Sequence, residues 1–218
     1  MDIGAYHVLE LQIAADPVDS RRVMPAIRAE HRRIIDVGCG AGQTLIASRL
    51  DANVTAIGVD CDASALALGR VLYPRLRLIR ARGEALPVPT GWFDLAFSRV
   101  ALPYMRTSAA LAEMARVLRP GGDLWIVLHP ASLVWTEFKA SLKRGRWRSA
   151  LQRAYALANG AALHLTGREL PMPYRGKHNS FQTEARIVRT LAALGFENIR
   201  VDKRRFFVVT ATKRKAEA

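Results

Sequence analysis

The stretch Ile34-Ile35-Asp36-Val37-Gly38-Cys39-Gly40-Ala41-Gly42-Gln43-Thr44 constrains the fold of this chain more than any other. Apolar residues run into three glycines at alternate positions, and a polar residue then opens a run of helix formers, Leu45 to Leu50. The pattern predicts a buried strand that turns sharply into a helix. Glycines at such a turn permit positive φ and let the backbone approach a ligand with no Cβ in the way. The helix start is expected to offer unpaired N–H groups and a positive dipole end to an anionic group. A nucleotide-like cofactor suits that geometry.

Spacing narrows the cofactor. The dinucleotide fingerprint needs a third glycine or alanine three residues after the second, and that position is Gln43. Here the third glycine is Gly42, and a carboxylate, Asp36, stands two residues before the first. A second apolar run, Val54 to Val59, ends at Asp60. Asp60 follows Gly40 by the ~20 residues expected of a carboxylate that accepts hydrogen bonds from ribose hydroxyls. Its other reading is a helix cap before Ala63 to Leu72, a role that Asp62 and Ser64 also fit.

Two further runs follow, Ala81-Arg82-Gly83-Glu84-Ala85-Leu86-Pro87 and Gly91-Trp92-Phe93-Asp94-Leu95-Ala96-Phe97-Ser98. A helix over Leu111 to Leu118 is expected to stop at Arg119-Pro120-Gly121-Gly122, with a fifth strand at Leu124 to Leu128. In this order and spacing the four features resemble the class I S-adenosylmethionine-dependent methyltransferases, of the small-molecule, methyltransferase type 11/25-like kind. The first matches the D/E-x-G-x-G-x-G motif, the others the adenine-side loop, the fourth strand and the L-R-P-G-G turn. The end of the chain is similar too, with G-F-E-x-I-x-V at Gly195 to Val201.

The resemblance implies S-adenosylmethionine as cofactor. It places Asp36, Gly38, Cys39, Gly40 and Gly42 at the methionine end, and Asp60 and Cys61 at the ribose. Gly83, Glu84 and Ala85 then fall on the adenine side, with Ser98 and Arg99 just past strand four. One departure is Arg82, where the family often has an Asp that contacts the adenine amino group. Adenine recognition then falls to the backbone of Gly83 and Glu84, or to Ala85.

Strands alternating with helices imply right-handed crossovers and a parallel sheet covered on both faces. The expected architecture is a Rossmann-like, doubly wound, seven-stranded, mostly parallel α/β sheet with an antiparallel last strand. Ligands of such sheets bind beyond the carboxyl ends of the strands, a rim that gathers Gly38 to Gly42, Asp60, Cys61, Glu84, Ser98, Arg99 and His129. A helix is expected from Thr183 to Leu194, then strands at Glu197 to Val201 and Phe206 to Thr212, and a charged tail over 213–218.

The 218 residues, 50% of them hydrophobic, suit one sizeable domain over 1–218. There is no run of 18 apolar residues, which argues against a membrane span. Cys39 and Cys61 are the two cysteines. They suggest a reducing cytoplasm rather than a disulfide framework, and no ligand spacing implies a metal. Residues 1–33 read as a helical lead, with a helix from Asp19 or Ser20 toward Glu30. Tyr6 or His7 are candidates to lie over the cofactor or simply to pack.

The segment 131–180 is longer than a connection needs and reads as an insert of two amphipathic helices. Trp147, Leu151 and Tyr155 mark one packing stripe, and Trp135, Phe138 and Leu142 the other. Nine Lys and Arg face two Glu there, net +7 of the chain's +14. That suggests a substrate lid with a basic side for an anionic acceptor, an acidic carrier or RNA, or else a solvated basic face.

His129 and His178 are candidate general bases, and Tyr104 and Arg175 candidate substrate contacts. Ser98-Arg99-Val100-Ala101 lacks the Asn/Asp-Pro-Pro-aromatic motif of enzymes that methylate exocyclic base amines. The expected function is methyl transfer to O, N or C of a small or medium organic acceptor by a monomer or homodimer. Alternatives are an RNA or protein methyltransferase using the basic insert, and a non-catalytic cofactor-binding partner subunit.

Overall fold

A computed structural model describes residues 3–170 and 179–215. The strands are β1 (Arg33–Val37), β2 (Thr55–Asp60), β3 (Arg77–Arg80), β4 (Phe93–Arg99), β5 (Leu118–Leu128), β6 (Phe196–Asp202) and β7 (Phe207–Lys213). They form one seven-stranded sheet in the order β3-β2-β1-β4-β5-β7-β6. β7 runs antiparallel to both its neighbours and the other pairings are parallel. Ile34, Ile35 and Val37 of β1 are all fully buried, as befits a central parallel strand covered on both faces.

One face of the sheet carries Ile35, Val37, Phe93, Ile126 and Val209 beneath α4 (Thr107–Val117) and α7 (Glu184–Ala193). The other face carries Ile34, Leu95, Phe97, Trp125 and Val127, with the helix residue Leu45 packed on it. α2 (Gln43–Ala47) and α3 (Ala63–Leu72) follow β1 and β2, and Asp62 caps α3 by accepting from the N–H groups of Ser64 and Ala65. α3 begins and ends where its apolar run does.

Four expectations are corrected. The N-terminal helix is α1 (Ile3–Ala15), and no helix runs from residue 19 to 30. Pro25 cannot donate a backbone bond and disfavours helical φ/ψ in Met24 before it. Val23 and Ile27 nevertheless pack on the sheet, from an irregular segment rather than a helix. Second, the Arg119-Pro120-Gly121-Gly122 turn lies inside β5 as a bulge, where the pairing slips from Phe93 with Leu118 to Leu95 with Asp123.

Third, the tail does not start at 213. Lys213 belongs to β7, and its ammonium donates to the carbonyls of Ala115 and Leu118 at 2.7 and 2.8 Å, closing the end of α4. Fourth, the insert does form two helices, α5 (Ala131–Lys143) and α6 (Trp147–Thr166), but of the expected α6 stripe only Tyr155 is half-buried, its hydroxyl donating to the Leu170 carbonyl. Trp147 and Leu151 are 72% and 73% exposed, and the buried face is Ala150, Ala156, Asn159, Gly160 and Leu163. Small residues win that face because the Phe181 ring lies where a Cβ on Gly160 would be, 2.2 Å from it.

Asp94 locks the start of β4 to its neighbours. It accepts from the N–H groups of Arg32 and Arg33 at 2.9 and 2.8 Å and from Nε of Arg119 at 2.5 Å. Burial acts to raise its pKa, but the Arg119 guanidinium and the two N–H groups hold it below the usual carboxylate range. A depressed folded value means that this stabilisation is present above the unfolded pKa of about 3.9 and is lost as pH falls through the folded value. Asp94→Ala is expected to lower stability by about 2–4 kcal/mol in urea melts at neutral pH, with the difference shrinking at acid pH.

Candidate active site

The cleft lies beyond the carboxyl ends of β1, β2 and β4, under α1. It is an open space of ≈ 710 Å³ lined by Gly38, Cys39, Gly40, Asp60, Arg99 and Tyr104 of the sheet rim, by Tyr6, His7 and Glu10 of α1, and by Gln43, Thr44, Val100 and Ala101.

Gly38, Gly40 and Gly42 take φ of +80°, +57° and +85°. A Cβ on Gly38 would stand 2.2 Å from that of Ala101, so this position needs glycine on both counts. The amides of the loop are not left for a ligand. Those of Gly38 and Cys39 donate to the Val59 carbonyl at 2.7 and 3.1 Å, and that of Gly42 to the Cys39 carbonyl at 2.9 Å. Gly40 N–H donates to Asp60 Oδ2 at 2.7 Å. The parallel neighbour β2 and the turn itself take these four amides, which precede the helix start at Gln43.

Asp60 also accepts from Asp62 N–H through Oδ1 at 2.8 Å, and since Asp62 caps α3, the Asp60 carboxylate is left to face the cleft. Asp36 sits in β1 just before the loop, 1% exposed, and neither of its oxygens has a partner among the described residues. Burial pushes its pKa up to about 8, against the pull of Arg99 and with the repulsion of Asp60. Ser98 is likewise buried with an unpaired hydroxyl. Cys39 is buried and its thiol is pushed well above its ordinary pKa by that burial.

α1 is fastened over the cleft. Arg99 donates to Glu10 at 3.0 Å and, through Nε, to Thr44 Oγ1 at 3.0 Å. His7 Nδ1 meets the Gln43 side-chain nitrogen at 2.6 Å. Glu10 was not anticipated from the sequence; an acid within an otherwise apolar helix was its one signal. Tyr104 stands edge-on to His129, ring centroids 5.9 Å apart at 88°. Burial, and then Arg153, lower the His129 pKa, while burial raises that of Tyr104.

The remaining candidates are spread out. Gly42 faces Leu76 rather than the cleft. Cys61 is exposed beyond Asp60. Gly83, Glu84 and Ala85 do not line the cleft, because Met105 stands between, its methyl 3.0 Å from a Cβ position on Gly38 and its sulfur 2.5 Å from one on Gly83. Glu84 accepts from Arg106 N–H at 2.9 Å and pairs with Arg82. His178 and Arg175 lie outside the described residues.

Residues 34–122 match the family model described as a methyltransferase domain. This segment, about two fifths of the chain, is similar to a methyltransferase domain. The chain is 29% identical over 125 residues to an uncharacterised methyltransferase of Synechocystis, covering 55% of this chain and 56% of that protein. It is 30% identical over 132 residues to the demethylmenaquinone methyltransferase of Beutenbergia cavernae, covering 60% and 54%. The chain thus spans about half the length of these curated relatives. Among solved structures it is similar to a methyltransferase of Methanosarcina mazei, with a TM-score of 0.58 at 20% identity over 87% of this chain and 95% of that one. This last likeness concerns the fold.

The raised Asp36 pKa has a definite sign. A folded value above the unfolded one gives stability that is whole below about pH 3.9 and is lost as pH rises through the folded value of about 8. Asp36→Asn is therefore expected to leave the melting temperature near that of the parent at pH 4. At pH 8.5 it should stabilise the ligand-free protein by roughly 1–3 kcal/mol, read by thermal melts across pH.

Proposed function

We propose that this protein transfers a methyl group from S-adenosylmethionine to O, N or C of a small or medium organic acceptor, with the cofactor in the cleft beneath α1. The observation that carries this reading is the pair of carboxylates set around a loop whose own amides are engaged. A pyrophosphate wants unpaired N–H groups, which Gly38, Cys39, Gly40 and Gly42 do not supply. A cationic amino group and two ribose hydroxyls want acceptors: Asp60 lines the cleft, and Asp36, buried just before the loop and not itself on the cleft lining, has two oxygens without partners among the described residues.

When bound, S-adenosylmethionine supplies a sulfonium methyl group, already a strong electrophile. The protein then needs mainly to align the acceptor and keep water out. Gly38 to Gly40 would border the methionine end, Asp60 would hold the ribose, and Asp36 would compensate the amino group. Tyr6, His7 and Glu10 would close the cleft against water. On the acceptor side, His129 is kept neutral by its burial and can take a proton, with Tyr104 placed between it and the cleft. The insert adjoins these two residues through Arg153, itself paired with Glu137, which supports a role as the acceptor's lid. An adenine reaching Gly83 requires Met105 to swing aside, which its unbranched side chain permits.

Calorimetric titration tests the reading. S-adenosylmethionine and S-adenosylhomocysteine should bind and NADH should not. Asp60→Ala should weaken both by roughly 100-fold. Near pH 7, heats in buffers of different ionisation enthalpy should show release of up to about one proton, absent in Asp36→Asn, because a cationic group beside Asp36 lowers its pKa. Failure of both sulfur cofactors to bind the folded protein would sink the proposal.

A further inference from the structure

The exposed stripe of α6 is a feature that the cleft leaves unexplained. Trp147, Leu151, Ala158, Ala161 and Leu165 are all exposed, with Leu165 at 79%. Trp147 and Leu165 are 18 residues apart, about five turns, so they point the same way across roughly 27 Å of helix. No charged side chain interrupts the stripe. The opposite face of α6 is the one that packs, through Ala156, Gly160 and Leu163. Trp135 and Leu142 of α5, in the same hairpin, are exposed as well.

Charge surrounds this apolar face in one sign. From Lys139 to Arg168 the sequence has seven Lys and Arg and no Asp or Glu. Lys143, Arg144, Arg146 and Arg148 cluster at the hairpin tip and are exposed. Lys139 rests over the Trp135 ring at 5.9 Å, and Arg153 is neutralised by Glu137 within the hairpin. A helix with Trp and Leu on one face and Lys and Arg beside them, too polar overall to span a bilayer, is the form that lies in a membrane interface. Among the described residues no helix is long and apolar enough to cross.

We propose that the α5–α6 hairpin docks this protein on an anionic lipid surface, with Trp147, Leu151 and Leu165 entering the headgroup boundary and the basic tip facing the phosphates. A second copy of the chain fits the face less well. Its net charge of +14 sets like charges against each other. A convex stripe also suits a deformable surface better than a rigid partner that must supply a matching groove. The inference stands independently of the cofactor reading.

The test is sedimentation of the full chain with vesicles of phosphatidylcholine, alone or mixed with phosphatidylglycerol, at low and high salt. Tryptophan fluorescence is followed in parallel. Binding is expected with the anionic vesicles only, with a blue shift, and weakening with salt. The double variant Trp147→Ser, Leu151→Glu and the charge variant Arg144→Glu, Arg146→Glu should each bind roughly tenfold or more weakly. Both should keep the parent's circular dichroism and its binding of S-adenosylhomocysteine, since all four positions are exposed. Absence of binding to anionic vesicles overturns the proposal. So does undiminished binding by the Trp147/Leu151 variant, which would mark bare charge attraction. A solution dimer that the Leu151 change disperses, with no vesicle binding, would assign the face to a second copy instead.

Discussion

The hydrogen bond from Gly40 N–H to the Asp60 carboxylate is the contact on which the architecture of the cleft turns. Parallel pairing sets Val37 beside Val59, so the loops after β1 and β2 leave the sheet at the same rim. Positive φ at the alternate glycines then directs the amides of the first loop back onto the second strand. Four amides are consumed in building the loop. What the cleft lining presents beside those engaged amides is side-chain oxygen, that of Asp60 and Glu10 among them.

Around that contact the protein tolerates groups that a plain core would reject. Asp36 and Ser98 are buried without partners, and Val100, a β-branched residue on the cleft wall, is held at φ +63°. Such a backbone conformation costs on the order of 1–3 kcal/mol. It persists because Val100 N–H donates to the Val127 carbonyl and the strand before it is buried from Phe93 to Ser98. Strands β1, β4 and β5 form the most buried part of the sheet, and the strained and unpaired groups sit at the ends of two of them.

Much of this was legible in the sequence. The alternation of strands and helices along the chain, the cap at Asp62, the helix over Ala63–Leu72 and the two insert helices follow from local signals: runs of apolar residues, a carboxylate before a helix, and glycine and proline stops. The errors are tertiary. Nothing local says that Phe181 will lie against Gly160, and that contact decides which face of α6 is buried. Nothing local says that Met105 will fill the space between Gly38 and Gly83. The glycine loop was located correctly, yet the fate of its amides depends on a strand 20 residues away. Glu10 escaped notice because its partner, Arg99, lies 89 residues on.

The clasp between Glu10 and Arg99 also bears on the charge of Asp36. Arg99 is the one nearby cation that favours the ionised form of Asp36, and in the closed cleft Glu10 and the Thr44 hydroxyl occupy its guanidinium. With α1 in place, burial dominates and the carboxyl holds its proton. Lifting α1 would both hydrate the cleft and free Arg99 from its counter-charge, and each change lowers the Asp36 pKa. Arrival of a cationic ligand acts in the same direction. Closure over an empty cleft and charging of Asp36 therefore oppose each other, whereas closure over a cation does not.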